Sequence, residues 1–209
     1  MAAAELSLLA FAAAAGLLTI TPGVDTALVL RASAAQGPRA GAAAGLGVCG
    51  GLFVWGAGAA VGLNALLAAS ATAFSALKWA GAAYLLFLGA QLLLKPRAAL
   101  ALAETSVGGR GFASALRRGF LTNVLNPKVG VFYATFMPQF IPAGVNVAGF
   151  SLALAAIHVA LTLLWFAALI GLTIPLGRFL RRAPVVRALD RLTGCVFVAF
   201  GAKLALARD

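Results

Sequence analysis

The stretch TITPGVDTALVL, Thr19 to Leu30, sets a proline-glycine pair and then a carboxylate, Asp25, into a run that is otherwise apolar or weakly polar. Proline has no backbone N–H, and its ring clashes with the carbonyl four residues earlier, so Pro22 breaks a helix while Gly23 permits a non-helical turn beside it. The helix that restarts beyond the break has a partly positive N-terminus, which suits Asp25. The rest of the chain decides what kind of helix is broken.

Of 209 residues, 63% are hydrophobic and 10% charged, against roughly 25% charged in soluble domains. Apolar runs fall at about residues 6 to 30, 41 to 69, 72 to 94, 119 to 140, 146 to 177 and 189 to 207. Each is near or above the roughly 20 residues that carry a helix across a hydrocarbon core. Strand-like alternation is missing, and the Ala, Leu and Gly content suits packed helices rather than a barrel. The expectation is an all-α membrane protein of six transmembrane helices in a single domain, residues 1–209.

A net charge of +11 raises nucleic acid as a partner, and the placement of the basic residues argues against it. The first connection carries Arg31 and Arg39, the third Lys95, Arg97, Arg110, Arg117 and Arg118, and the fifth Arg178, Arg181, Arg182, Arg187 and Arg191; the second and fourth carry none. By the positive-inside rule, connections one, three and five are cytoplasmic and touch anionic lipid, and both termini lie outside. The segment MAAAELSLLAFAAAAG lacks the basic start of a signal peptide and is kept as the first helix. Cys49 and Cys195 both fall in expected spans and read as small core residues.

The halves of the chain resemble each other. GAAYLLFLGAQL, Gly81 to Leu92, matches GCVFVAFGAKL, Gly194 to Leu204, with one deletion, and ITPGVDTALVL parallels LNPKVGVFYATF around Pro22 and Pro127. An odd number of crossings flips the second copy, so two three-helix units form an inverted repeat. The first covers about 1–95, a cytoplasmic loop covers 96–118, and the second covers 119–209. The alternative is chance similarity among Ala- and Leu-rich helices.

Pro22 lies nine residues from Arg31 and Pro127 nine from Arg118, which at helical rise puts both prolines about 13 to 14 Å deep, close to the midplane. The first and fourth helices are therefore expected to be discontinuous, with Thr21 capping the restarted helix and Thr19 nearby. Lys128 is the base at the depth of Asp25, and neither charge tolerates lipid. Two readings follow: the two pair and lock the halves together, or they form a zwitterion site in which Asp25 takes an ammonium while Lys128 and the helix N-terminus take a carboxylate. Gly23 is placed with such a site, and Asn123, Asn126 and Thr122, on the same broken fourth helix, either line it or serve as interhelical hydrogen-bonders. His158 is either a proton relay or a satisfied core histidine. Trp55, Trp79 and Trp165 read as packing or interface residues. Glycines at Gly41, Gly45, Gly47, Gly51, Gly58 and Gly62 form small faces for packing inside the bundle or across a homodimer.

Enzyme classes lack their groups. One histidine cannot supply HExxH, no GxSG context accompanies it, and an aspartyl protease needs a second membrane carboxylate beside Asp25. Neither a cofactor nor a bound metal is expected.

TPGVD at Thr21 to Asp25, QGPRAGAAAGLGVCGG at Gln36 to Gly51, KWAGAAYLLFLGAQLL at Lys78 to Leu93, FASALRRGFLTNVLNPK at Phe112 to Lys128 and MPQF at Met137 to Phe140 together resemble the lysine exporter (LysE) superfamily, most closely its homoserine and threonine resistance (RhtB) branch. The resemblance implies a secondary transporter in a bacterial cytoplasmic membrane that exports a small amino acid or derivative in exchange for protons. It carries Pro22, Gly23, Asp25, Asn126, Pro127 and Lys128 over as functional positions. Protonation of Asp25, which would release its hold on the ammonium or on Lys128, is the expected coupling step. Val24 departs from the branch, which often has a second proline there. A six-helix channel or another non-catalytic membrane protein is the alternative.

Overall fold

The computed structural model describes residues 2–69, 71–96, 111–172 and 182–206, which are helical with no strand among them. The helices are α1 (Ala2–Ile20), α2 (Val24–Gln36), α3 (Pro38–Ala69), α4 (Ala71–Leu94), α5 (Phe112–Val124), α6 (Pro127–Val131), α7 (Val147–Gly171) and α8 (Ala183–Leu206). Between α6 and α7, a π-helical turn (Phe132–Phe136) and a 3-10 turn (Met137–Phe140) continue the chain.

Both expected discontinuities are present. α1 and α2 are bent by 54° across Thr21, Pro22 and Gly23. α5 ends at Val124, and a new helix begins with Pro127. Proline at a helix start is favoured, since an N–H there has no intrahelical acceptor to lose.

Among the described residues, two helical stretches, Pro38–Gly62 and Val147–Gly171, are long and apolar enough to cross a membrane, and the bent α1–α2 pair makes a third. Of the other expected spans, α4 has 24 residues, α5 has 13 before its break, and α8 carries Arg187, Asp190 and Arg191. Arg31 and Arg39, expected in the first connection, sit on α2 and in the first turn of α3. Turn chemistry rather than hydropathy ends α2: Gly37 takes φ 89° and donates its N–H to the Ser33 carbonyl, and Pro38 starts the next helix.

α3 is the centre of the bundle, packing on α2, α5 and α7, while α4 packs on α8 and α1 on α7. Glycine makes the α3–α5 contact possible. A Cβ on Gly47 would fall 2.0 Å from the Leu116 carbonyl oxygen, and one on Gly119 would fall 2.0 Å from that of Ala44. The α4–α8 contact is reciprocal in the same way: a Cβ on Gly89 or on Gly194 would come within 2.9 Å of the other's carbonyl oxygen. Gly41, Gly45, Gly47 and Gly51 therefore serve internal packing, whereas Gly58 and Gly62 face open space.

The core divides in two. An aromatic cluster gathers Phe11, Phe132, Tyr133, Phe136 and Phe140 with Leu52 and Leu154, and Cys49 packs there as the sequence suggested. Cys195 does not; it is exposed on α8. A small-residue cluster joins Ala27, Ala40, Ala43, Ala44 and Ala115 to Phe166 and Leu169.

Side chains cannot be added where backbone meets backbone. Gly119→Val is expected to destabilise the purified protein by about 1–3 kcal/mol or more, read as a lowered thermal midpoint in detergent. Gly58→Ala, with nothing within 4 Å of the added atom, leaves the midpoint unchanged.

Candidate functional site

Each proline removes the N–H that would have bonded the carbonyl four residues earlier, which is Leu18 for Pro22 and Asn123 for Pro127. A buried carbonyl without a partner is costly, and here both find donors on distant elements. Lys128 Nζ donates to the Leu18 carbonyl at 3.1 Å and to that of Thr21 at 3.3 Å. The Trp55 indole N–H donates to the Asn123 carbonyl at 3.3 Å, joined there by the Asn126 N–H at 3.0 Å.

The first break is thus closed by a group from the second. Lys128 lies against the C-terminal carbonyls of α1, where the helix dipole favours a cation, and Asp25 lies in the first turn of α2, where it favours an anion. Asp25 Oδ2 accepts from Asn123 Nδ2 at 3.0 Å and from Asn126 Nδ2 at 3.1 Å. Asn126 also caps α6: its side-chain oxygen accepts from the Lys128 backbone N–H at 3.1 Å, which orders the residues bearing both the amide and the ammonium.

Thr21 does not cap α2. Its N-cap is Gly23, with no side-chain cap bond, because the Thr21 hydroxyl turns back to donate to the Leu17 carbonyl at 2.7 Å. A hydroxyl has one hydrogen, so the bond between Thr21 and Thr193 of α8 must run from Thr193 to the Thr21 oxygen. Thr19 likewise donates to the Ala15 carbonyl. These back-bonds satisfy the end of α1 and leave the first N–H groups of α2 without side-chain partners.

The two breaks share one cavity of about 40 Å³, lined by Thr19, Thr21, Gly23, Asp25, Asn123, Asn126 and Lys128. Pro22 is buried at the first break, and Thr122 is not among the lining residues. His158, Thr162 and Phe166 of α7, with Val48 and Leu52 of α3, complete the wall. Asp25 Oδ1 is buried with no hydrogen-bond partner, while Asn123 Oδ1, also unpartnered, lies against Gly51. An unpaired carboxylate oxygen beside a cavity is an open acceptor for a cationic or hydroxylic ligand.

Residues 17–208 match the family model described as LysE type translocator. The chain belongs to the LysE-type translocator family. It is 33% identical over 208 residues to the uncharacterized membrane protein YrhP of Bacillus subtilis, covering 96% of this chain and 99% of that one. It is 34% identical over 198 residues to the homoserine/homoserine lactone efflux protein of Salmonella typhi, with 92% of each covered, and 31% identical over 210 residues to the leucine efflux protein of Klebsiella pneumoniae, covering 96% and 95%. No solved structure matches the chain.

In this LysE-type chain the sequence located the charged pair but not what holds it. Trp55, read as packing, is a hydrogen-bond donor whose ring also packs on Gly130. Thr193 and Tyr133 went unnoticed; both are fully buried, and a polar group in an apolar run was the available signal. Asp190, at the edge of the last apolar run, is also fully buried, so Asp25 is not alone as an acid inside the bundle.

Lys128→Met keeps most of the side chain's length and removes the ammonium, which leaves the Leu18 carbonyl without that donor. The expected loss is about 1–3 kcal/mol of stability, measured by thermal unfolding in detergent. Trp55→Phe, which retains a ring against Gly130, is expected to lose about 1 kcal/mol.

Proposed function

We propose that the protein is a secondary transporter that exports a small amino acid, or a close derivative, from the cytoplasm of a bacterium across its inner membrane in exchange for protons. The observation that carries this reading is Asp25: a buried carboxylate with one oxygen held by two asparagine amides and the other unpartnered, beside a cavity that also holds Lys128. Family membership supplies the transport class, and the efflux relatives supply amino acids as the cargo.

In this reading the substrate's ammonium takes the free Asp25 oxygen. Its carboxylate takes the N–H groups that open α2 and draws the Lys128 ammonium from the carbonyls it now bonds. A proton on Asp25 removes the charge that holds the ammonium, which links export to an inward proton flow. Six spans in two inverted repeats are supported by the paired contacts: α3 with α5 and α7 with α1, then α3 with α7 and α4 with α8, as a two-fold relation would generate. The basic residues on the odd connections and helix ends support cytoplasmic ends there and both termini outside.

The test is export from cells loaded with amino acids as dipeptides, with and without the protein. The protein is expected to lower intracellular threonine or leucine, and Asp25→Asn to slow that efflux by at least ~10-fold while the protein still reaches the membrane. An Asp25→Asn variant that exports at the wild-type rate with the wild-type pH dependence would refute the assignment.

A further inference from the structure

The export reading uses the charged end of the cavity and leaves its α7 wall without a role. His158, Thr162 and Phe166 follow one another at four-residue steps on α7, are all buried, and all line the cavity. Residues so spaced share a helix face, so α7 presents an imidazole, a hydroxyl and a phenyl ring in succession. Val48 and Leu52, one turn apart on α3, add apolar surface. In the export reading the charged end takes the zwitterion's ammonium and carboxylate, which leaves this α7 wall for the substrate's side chain.

His158 is held in a fixed orientation. Its Nδ1 is 3.2 Å from the Tyr133 hydroxyl, its ring stacks on that of Tyr133 at 5.7 Å and 18°, and Phe132 meets it edge-on at 5.4 Å. Tyr133 itself is fully buried in the π-helical turn, a departure from α geometry that frequently marks functional sites. With Nδ1 occupied, Nε2 is the nitrogen left for the cavity. If the Tyr133 hydroxyl donates to Nδ1, Nε2 carries the hydrogen and donates; if Nδ1–H donates to Tyr133, Nε2 accepts. A ligand hydroxyl serves either case, since it can donate and accept. An alkyl group leaves a buried nitrogen unpaired, and an ammonium suits only the accepting form while adding a second cation near Lys128.

We propose that His158, oriented by Tyr133, is the specificity-determining residue of the cavity and selects an uncharged substrate side chain that carries a hydroxyl. This rests on the amino-acid export reading above. A site built to hydrogen-bond a hydroxyl discriminates against the analogue that lacks it, because the site's own polar group is then left without a partner.

The full-length protein is reconstituted in proteoliposomes, and counterflow of labelled threonine and of labelled leucine is measured separately. Wild-type protein is expected to move threonine faster than leucine. His158→Leu should lower the threonine-to-leucine rate ratio by ~10-fold or more. His158→Gln, which keeps a neutral donor and acceptor, should restore most of the ratio, an outcome that a purely structural role would not produce. An unchanged ratio in His158→Leu, or equal loss of both substrates in both variants, overturns the inference. Wild-type protein that moves leucine but not threonine overturns it while leaving the export reading intact, and wild-type protein that moves neither removes both.

Discussion

The Leu18 carbonyl oxygen, deprived of its helical donor by Pro22, governs the organisation of this protein. In water such an oxygen would be hydrated at little cost, but between apolar helices it needs a donor from the protein. The donor is Lys128, from a segment more than a hundred residues later, beside a second proline that frees the Asn123 carbonyl in turn. The two breaks are therefore parts of one construction. Each needs the other half of the chain for completion, and a single break without its counterpart would leave polar backbone stranded.

The charges follow from the same constraint. A carboxylate and an ammonium between apolar helices cost several kcal/mol each unless hydrogen-bonded. Breaking the helix creates partners for both: a negative pole at the end of α1 for Lys128 and a positive pole at the start of α2 for Asp25. The asparagines then meet Asp25 with neutral amides instead of a second positive charge. This arrangement leaves one carboxylate oxygen uncommitted, and a group stabilised on one side only is suited to reversible association with a ligand or a proton.

What the sequence disclosed and what it withheld divide along physical lines. Both helix breaks were legible at Pro22 and Pro127, because a missing N–H is a covalent property independent of the fold. That Asp25 and Lys128 turn inward was legible too, since lipid exposure is excluded on energetic grounds. The identity of their partners was not, because it depends on the register between helices distant in sequence. Trp55 reaches the Asn123 carbonyl because Gly47 and Gly119 let α3 and α5 approach to backbone contact, and no local pattern around Trp55 encodes that. Thr21 misled for a related reason: a threonine before a helix start ordinarily caps it, but here the end of α1 and Thr193 compete for the same hydroxyl and win. Asp190 is fully buried although it stands at the edge of an apolar run, because burial there is decided by the neighbouring helices.

Cavity size then constrains how such a site could carry a substrate. About 40 Å³ holds a few water molecules, whereas small-molecule pockets usually run to roughly 300 Å³ or more. An amino acid therefore enters only if the walls part, and the packing limits where they can. α3 and α5 touch through glycine backbones and can separate only by losing that contact along its whole length, so they move as one body. The break between α1 and α2, with an N-cap that no side chain fixes, is the candidate joint. Lys128 bonds carbonyls on the α1 side of that break, so a substrate carboxylate that competes for Lys128 would also release the end of α1. Substrate binding and opening are coupled in this reading because one ammonium group serves both.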